Sequence, residues 1–253
     1  MLRRLPRKTN VEQKHRLIDF YNFMTITNYN SKEVGLTSLV PEAFKLADRI
    51  ARIGVEREAK LGSKVSCTKG CAACCSWLVR VSIPEALYLY ERILECEKHR
   101  RDKILGQFHK AREILKDNGL AEKINRDLIR KPGDVFYDHR LHLLSRRYLA
   151  LRIACPFLEE KTCSIYSCRP ITCRQYYVTS PAIQCINPFE ENVRRVSLAF
   201  NVADLLDRVV ADLLNQPMRM IALPLAVNWA GAHKHLAKLQ WPQRKLFAGF
   251  LKR

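Results

Sequence analysis

Glycine is scarce in this chain, with only nine in 253 residues, and no two of them lie closer than eight positions apart. Phosphate-cradling loops of the G-x-G-x-x-G and G-x-x-x-x-G-K types need two glycines close together, because the backbone amides must approach the phosphate. The sequence therefore excludes nucleotide enzymes of these two kinds.

Long apolar runs are also missing. The longest apolar stretch, 220–232, contains Pro224 and Asn228 and is too short to cross about 30 Å of hydrocarbon. No apolar segment follows the basic residues at the start of the chain, so a secretory signal is not expected. We predict no transmembrane segment and a cytoplasmic location, where clustered thiols are metal ligands or redox groups rather than disulfides.

Acidic residues are too few to balance the basic ones. The chain has 44 Lys and Arg against 25 Asp and Glu, a formal charge of +19, and no acid follows Asp212. Such a charge attracts nucleic acid, anionic membranes or an acidic partner. No recognition motif accompanies it, so solvated basic ends are favoured over a nucleic-acid face. The last segment alternates Leu246 and Phe247 with basic residues and suits a membrane surface or a partner, although docking on its own domain is commoner.

Helical signals dominate the pattern. Apolar residues at helical spacing predict a helix over 41–60, which Gly62 ends. Ser82 and Glu85 form a capping box that opens a long helix, predicted to run to 118–119 with an interruption near Gly106. A shorter helix is expected from 120 to the Pro-Gly pair at 132–133, and another over 139–151 with Asp138 as its cap.

The last strong helix signal is the segment Asn187-Pro-Phe-Glu, followed by one apolar stripe that ends at Leu213. We predict a helix over this whole region. Strand signals are weak and limited to 77–81 and 174–178. The predicted fold is therefore mainly α, a helical domain with few or no strands. Its parts are a basic N-terminal extension (1–40), a cysteine-containing domain (41–215) and a basic amphipathic C-terminal segment (216–253).

Nine of the ten cysteines fall in two segments between the predicted helices, 67–75 and 155–185. Thiolates packed this closely repel one another unless a cation lies among them. Soft thiolates at short spacing suit zinc or an iron-sulfur cluster. We therefore expect the two segments to converge on one metal site. Cys96 stands alone on a predicted helix and is interpreted as packing.

The run CTKGCAACC, followed in order by CPFL, CSIY and CRQY, resembles the cysteine-cluster proteins described as zinc- or iron-chelating domains, the CxxCxxCC or YkgJ type. The resemblance covers residues 64–198. It implies metal binding and the following ligands: Cys67, Cys71, Cys74, Cys75, Cys155, Cys163, Cys173 and Cys185. Cys168 falls where the family pattern varies, so the resemblance implies no role for it.

Neighbours of these cysteines add two expectations. Side chains of adjacent residues diverge, so Cys74 and Cys75 are expected to serve different centres. Arg169 and Arg174 flank Cys173, and guanidinium groups near coordinated sulfur would stabilise gathered thiolates and tune a redox potential. The alternative is that these arginines form surface salt bridges with the acidic pair at 159–160.

Several functions remain open from the sequence. One is a metalloprotein that binds zinc structurally or holds iron for delivery, and another is an iron-sulfur oxidoreductase that exchanges electrons with a protein partner. A third is cluster-dependent methyl transfer, because Cys67, Cys71 and Cys74 match the spacing of radical S-adenosylmethionine enzymes and some cysteine-cluster relatives resemble flagellin lysine methylases. Against the radical mechanism, Ala73 occupies a position that is usually aromatic, and no glycine pair follows.

Overall fold

The computed structural model describes the backbone of residues 32–251 and the side chains of residues 32–247. Most of the predicted N-terminal extension lies outside the described residues. The described chain is mainly helical, as predicted, with short two-stranded antiparallel pairs between its helices. No helix among the described residues is long and apolar enough to cross a membrane.

The regular elements follow one another along the whole described chain. The α-helices are α1 (Leu39–Lys60), α2 (Ile83–Leu94), α3 (Lys98–Asp117), α4 (Ala121–Asp127), α5 (Tyr137–Ala150), α6 (Ile171–Arg174), α7 (Val202–Leu214), α8 (Leu223–Ala232), α9 (Lys234–Ala237) and α10 (Gln243–Leu251). The strands are β1 (Glu33–Gly35), β2 (Arg80–Val81), β3 (Ile129–Arg130), β4 (Leu158–Glu159), β5 (Thr162–Cys163), β6 (Met218–Arg219), β7 (Ile221–Ala222) and β8 (Gln240–Pro242). They pair as β1 with β8, β2 with β7, β3 with β6 and β4 with β5. Short 3-10 helices occupy 36–38, 166–168 and 182–186.

Helix α8 lies in the core. Its residues Leu223, Ala226 and Ala230 are buried, and α2 and α3 both pack against it. The pair β2–β7 joins residues 80–81 to 221–222 just before α8 begins. At the end of the chain, the buried side chains Leu246 and Phe247 join the same core. The core therefore draws on residues on both sides of position 215, while the predicted three-part division of the chain stays a prediction.

Two of the predicted helix boundaries are confirmed by their capping geometry. Gly62 has φ +77° and follows α1, and the amide of Ser63 donates to the carbonyl of Glu58 at 2.9 Å, which is the pattern of a glycine-stopped helix. At α2, the Ser82 amide donates to Glu85 Oε2 at 2.9 Å and the Glu85 amide donates to Ser82 Oγ at 3.4 Å. These bonds complete the capping box.

The long helix predicted after residue 82 is interrupted at 95–97 rather than near Gly106. Because α2 and α3 both pack on α8, the chain turns between them. Gly106 lies inside α3, and a Cβ at this position would meet nothing within 4 Å. Tertiary packing therefore sets the break. The two helices that follow also differ from prediction, since α4 ends at Asp127 and α5 begins at Tyr137 without a side-chain cap.

The helix predicted from Asn187 begins only at Val202. Residues 194–196 instead run beside 177–179: the Thr179 amide donates to Arg194 O at 2.9 Å and the Val196 amide donates to Tyr177 O at 2.8 Å. The cap of α7 is the side chain of Asn201, which accepts from the Ala203 amide at 2.9 Å. The prediction was wrong because this pairing joins stretches of chain that a local pattern does not connect.

Candidate metal centre

The first cysteine segment, residues 66–77, is built from turns. Cys71 donates its amide to Thr68 O at 3.1 Å, and Cys75 donates to Ala72 O at 2.9 Å. Gly70 has φ +93°, a conformation that side-chain-bearing residues rarely adopt. These turns fold tightly the short stretch of backbone that carries the four thiols.

The second segment, residues 155–185, uses several short elements to present its cysteines. Cys155 follows α5, and Cys163 lies on β5 of the tight β4–β5 hairpin. Cys173 lies on α6, and Cys185 lies in the 3-10 helix over 182–186. The side chain of Cys185 is buried, while those of the other cysteines are half-buried.

Hydrogen bonds join the two segments directly. The Cys155 amide donates to the Cys75 carbonyl at 2.7 Å, and Trp77 Nε1 donates to the Cys185 carbonyl at 2.7 Å. The ring of Trp77 also meets the ring of Tyr176 edge-on, with their centroids 4.8 Å apart. Residues that are far apart in the sequence are thus neighbours in space.

Electrostatic coupling links the thiols of both segments through Cys74. Five thiols have a pKa that burial raises and that negative charge on Cys74 raises further. They are Cys67, Cys155, Cys163, Cys173 and Cys185. The pKa of Cys155 rises to about 12 and that of Cys185 to about 11. Cys71 acts on Cys67 and Cys185 in the same direction. We call these six thiols, together with Cys71 and Cys75, the thiol cluster.

The adjacent thiols of Cys74 and Cys75 do not diverge. A hydrogen bond between them is the main cause that raises the pKa of Cys74, followed by burial. The turn that continues from Cys74 to Trp77, whose amide donates to Cys74 O at 3.1 Å, accompanies this contact. The assignment of these two thiols to separate metal centres stays a prediction.

All ten cysteines are free thiols, so no disulfide closes either segment. Cys168 lies near Tyr88, because its charge contributes to the raised pKa of Tyr88 after burial. Cys96 donates its thiol to the Arg92 carbonyl at 3.4 Å at the end of α2. Among the described residues, no three Cys, His, Asp or Glu side chains already have the spacing that a metal ion needs.

The two arginines that flank Cys173 have different surroundings. Arg174 is buried, and its Nη1 donates to Asp48 Oδ2 at 2.7 Å while its guanidinium carbon lies 4.0 Å from the centroid of the Phe44 ring. Its Nε also donates to the Arg169 carbonyl at 2.8 Å. Arg174 thus ties the second segment to α1.

Arg169 faces the thiols instead. Its charge lowers the pKa of four cluster thiols, against the larger effect of burial: Cys67, Cys74, Cys163 and Cys173. Neither arginine has an ion pair with the acidic residues at 159–160 among the described salt bridges, and Glu159 pairs with Lys103 at 3.0 Å. The sequence did not distinguish the two arginines, because both flank Cys173 in the chain.

Three buried side-chain polar atoms have no hydrogen-bond partner among the described residues, namely Arg169 Nε, Tyr176 Oη and Gln184 Oε1. All three belong to the second segment. A buried polar atom without a partner costs about 1–3 kcal/mol, and native proteins contain few of them. Their concentration next to the thiols indicates that this region lacks a polar or charged binding partner.

Glu85 is a residue whose role at this site the sequence did not reveal. Its Oε2 serves the capping box of α2, but its Oε1 accepts the Ile171 amide at 2.8 Å. This second bond fixes the first turn of α6, two residues before Cys173. In the sequence, Glu85 is a carboxylate on an apolar helix face. The capping box alone explains that placement, so nothing indicated the second bond.

The candidate metal centre therefore combines eight coupled thiols from two hydrogen-bonded segments, one guanidinium that faces them and three buried polar atoms without partners. The resemblance to YkgJ-type proteins stays a prediction that rests on cysteine spacing. Comparison of the chain with protein-family models, with curated proteins and with solved structures finds no match.

Proposed function

We propose that this protein binds a metal through the thiolates of its two cysteine segments, as zinc or as an iron-sulfur cluster. The proposed ligands are the eight residues of the thiol cluster: Cys67, Cys71, Cys74, Cys75, Cys155, Cys163, Cys173 and Cys185. The observation that carries the proposal is that hydrogen bonds from Cys155 to Cys75 and from Trp77 to Cys185 join the two segments, which hold all eight of these thiols.

The chemistry of the donors fits such a group. The cluster offers sulfur only, which zinc and iron-sulfur clusters both accept and which magnesium and calcium do not favour. Gathering thiolates in a half-buried place is unfavourable without a cation, because each negative charge raises the pKa of its neighbours. A bound metal would supply that positive charge and keep the thiols ionised.

The polar atoms around the cluster fit as well. Arg169 Nε and the Tyr176 hydroxyl can donate hydrogen bonds, and both are buried without a partner. Metal-bound sulfur accepts such bonds from surrounding groups. Since no three ligating side chains of residues 32–247 have metal-binding spacing beforehand, the proposal requires the turns of the first segment to draw inward when the metal binds, so that binding and local folding are coupled.

The two candidate groups differ in what they would supply. Zinc would act by cross-linking the segments, whereas an iron-sulfur cluster would in addition accept and release an electron. The chain's own residues position the sulfur atoms, since the Cys155 amide and Trp77 Nε1 both bond across the two segments. Three finer functions extend this proposal: electron transfer to a partner, an oxidoreductase role and the methyltransferase alternative. The metal must be identified before any of them can be tested.

The test is metal and acid-labile sulfide analysis, with an absorption spectrum, of protein purified without oxygen. Zinc without sulfide would identify a zinc site, and iron with sulfide would identify a cluster. Protein that contains neither, and that takes up neither zinc nor iron with sulfide in reconstitution, would refute the proposal.

A pair of matched variants tests the ligand set. Cys74→Ala removes the thiol that couples the two segments, and we expect the bound metal per chain to fall at least about tenfold. Cys96→Ala removes a thiol outside the cluster and should leave the metal content unchanged. Equal metal contents in the two variants would contradict a centre shared through Cys74.

A further inference from the structure

One cation stands out beside the thiol cluster. The charge of Arg169 acts on thiols of both segments, since it lowers the pKa of Cys67 and Cys74 in the first and of Cys163 and Cys173 in the second. The contacts of Tyr166 agree with this position: its ring centroid lies 4.0 Å from the Arg169 guanidinium carbon and 5.8 Å from Nζ of Lys69, a residue of the first segment.

Two tyrosines contact the Arg169 guanidinium. Its carbon lies 4.0 Å from the centroid of the Tyr166 ring, and its Nη2 donates to the Tyr177 hydroxyl at 3.2 Å. These contacts fix the plane of the group, as a stacked and hydrogen-bonded arginine requires. The Nε–H donor remains, and it is buried without a partner.

A buried arginine N–H without an acceptor is unfavourable, because a guanidinium is always charged and its donors need acceptors when water is excluded. Thiolates gathered around a metal need such a donor, because they carry negative charge that the metal only partly neutralises. The unused donor belongs to the second cysteine segment, the region that would carry this charge.

We propose that Arg169 donates its Nε–H to a metal-bound sulfur of the thiol cluster and supplies the positive charge that stabilises the assembled centre. This inference rests on the proposed function, because it concerns the metal-bound form. It makes Arg169 a positioning and charge-compensating residue, distinct from Arg174, which is bound to Asp48.

The experiment compares metal retention in the wild type and in three variants, all purified without oxygen and challenged with a series of EDTA concentrations. Arg169→Gln removes the charge, and we expect it to lose metal about 10–100-fold more readily than the wild type. Arg169→Lys keeps the charge without the planar fork and should fall between the two. Arg130→Gln is the matched control: Arg130 also lies over a tyrosine ring, 5.4 Å from the Tyr137 centroid, but Tyr137 belongs to α5 and not to a cysteine segment.

The salt dependence supplies a second readout that a purely structural role would not move. Arg169→Lys holds the sulfurs by charge alone, so its loss of metal should grow with ionic strength more steeply than that of the wild type. This measurement also serves if Arg169→Gln fails to fold, as judged by circular dichroism.

Retention by Arg169→Gln within about twofold of the wild type would overturn the inference, given the tenfold effect expected for such neighbours. An Arg130→Gln effect of equal size, or a wild-type salt profile for Arg169→Lys, would overturn it too. A wild type that binds no metal would instead overturn the proposed function, so the two failures are distinguishable.

Discussion

The cysteine segments and the helices around α8 are held together by different means. Between residues 61 and 79 the structure describes neither helix nor strand, and that stretch is fixed by turns and by hydrogen bonds to the second segment. Around α8 the side chains are apolar and almost fully buried, with Leu223 2% exposed and Ala226 0% exposed.

The difference shows that the two regions draw on separate sources of stability. Burial of apolar surface stabilises the helices regardless of any ligand. The cysteine segments bury thiols and polar atoms that are unfavourable there unless something binds to them. One region is a scaffold that is complete by itself, and the other is a site that its ligand would complete.

The largest effect is expected from removal of the metal. After chelation, amide hydrogen exchange should accelerate across 66–77 and 155–185, because the proposed metal would cross-link these two segments. Amides of α8 should keep their protection, since apolar burial secures them.

Far-UV circular dichroism of the same sample should retain most of the helical signal. If exchange accelerates in α8 as much as in the cysteine segments, the two regions form one cooperative unit and the contrast between them is wrong.

A buried carboxylate gives the scaffold a pH dependence of its own. Burial raises the pKa of Asp207 to about 7, although its Oδ1 accepts the Arg219 amide at 3.1 Å. The folded state therefore holds this proton more tightly than the unfolded chain, whose carboxyl has a pKa near 3.8. The contribution to stability is complete at acidic pH and declines as the pH rises from about 4 to about 7, by an amount on the order of 2–4 kcal/mol.

Asp207→Asn measures this contribution, because asparagine can accept the same amide bond without titrating. The free energy of unfolding in urea, determined between pH 4 and pH 8, should decline less steeply in this variant than in the wild type across that window. Parallel curves for the two proteins would show that Asp207 does not titrate as its burial indicates.

The smallest effect concerns the close packing of residues 194–198, which pair with 177–179 of the second cysteine segment, against α1. A Cβ on Gly54 would lie 2.6 Å from Leu198 Cδ2 and 3.1 Å from Val196 Cγ1, so the extended stretch 194–198 passes closely over this glycine. We expect Gly54→Ala to destabilise the protein by about 1 kcal/mol, because crowding outweighs the better helix propensity of alanine.

Gly106→Ala is the matched control for this substitution. Gly106 also lies within a helix, but a Cβ there meets nothing within 4 Å, so the variant should be more stable by about 0.5–1 kcal/mol. Thermal unfolding of both variants checks the pair. Melting temperatures that shift in the same direction would contradict the close passage over Gly54.

Local signals in the sequence predicted the elements whose causes are local. Ser82 with Glu85 predicted the start of α2, and Gly62 predicted the end of α1. The start of α7 could not be predicted, because the pairing of 194–196 with 177–179 removes residues that carry an apolar stripe from the helix. For the site, spacing identified the thiols, but neither the contact between Cys74 and Cys75 nor the separate roles of Arg169 and Arg174 follows from position in the chain.

The backbone bond between Cys155 N and Cys75 O has a consequence for the order of folding. It closes a loop that contains α2 to α5. Closing so long a loop has an entropic cost that the local contacts formed early in folding do not offset, so this bond forms late. During synthesis from the N-terminus, the first four cysteines emerge long before their partners. A centre of the kind proposed here would require them to stay reduced through that interval, so the yield of metal-loaded protein should depend on how reducing the surroundings of the nascent chain are.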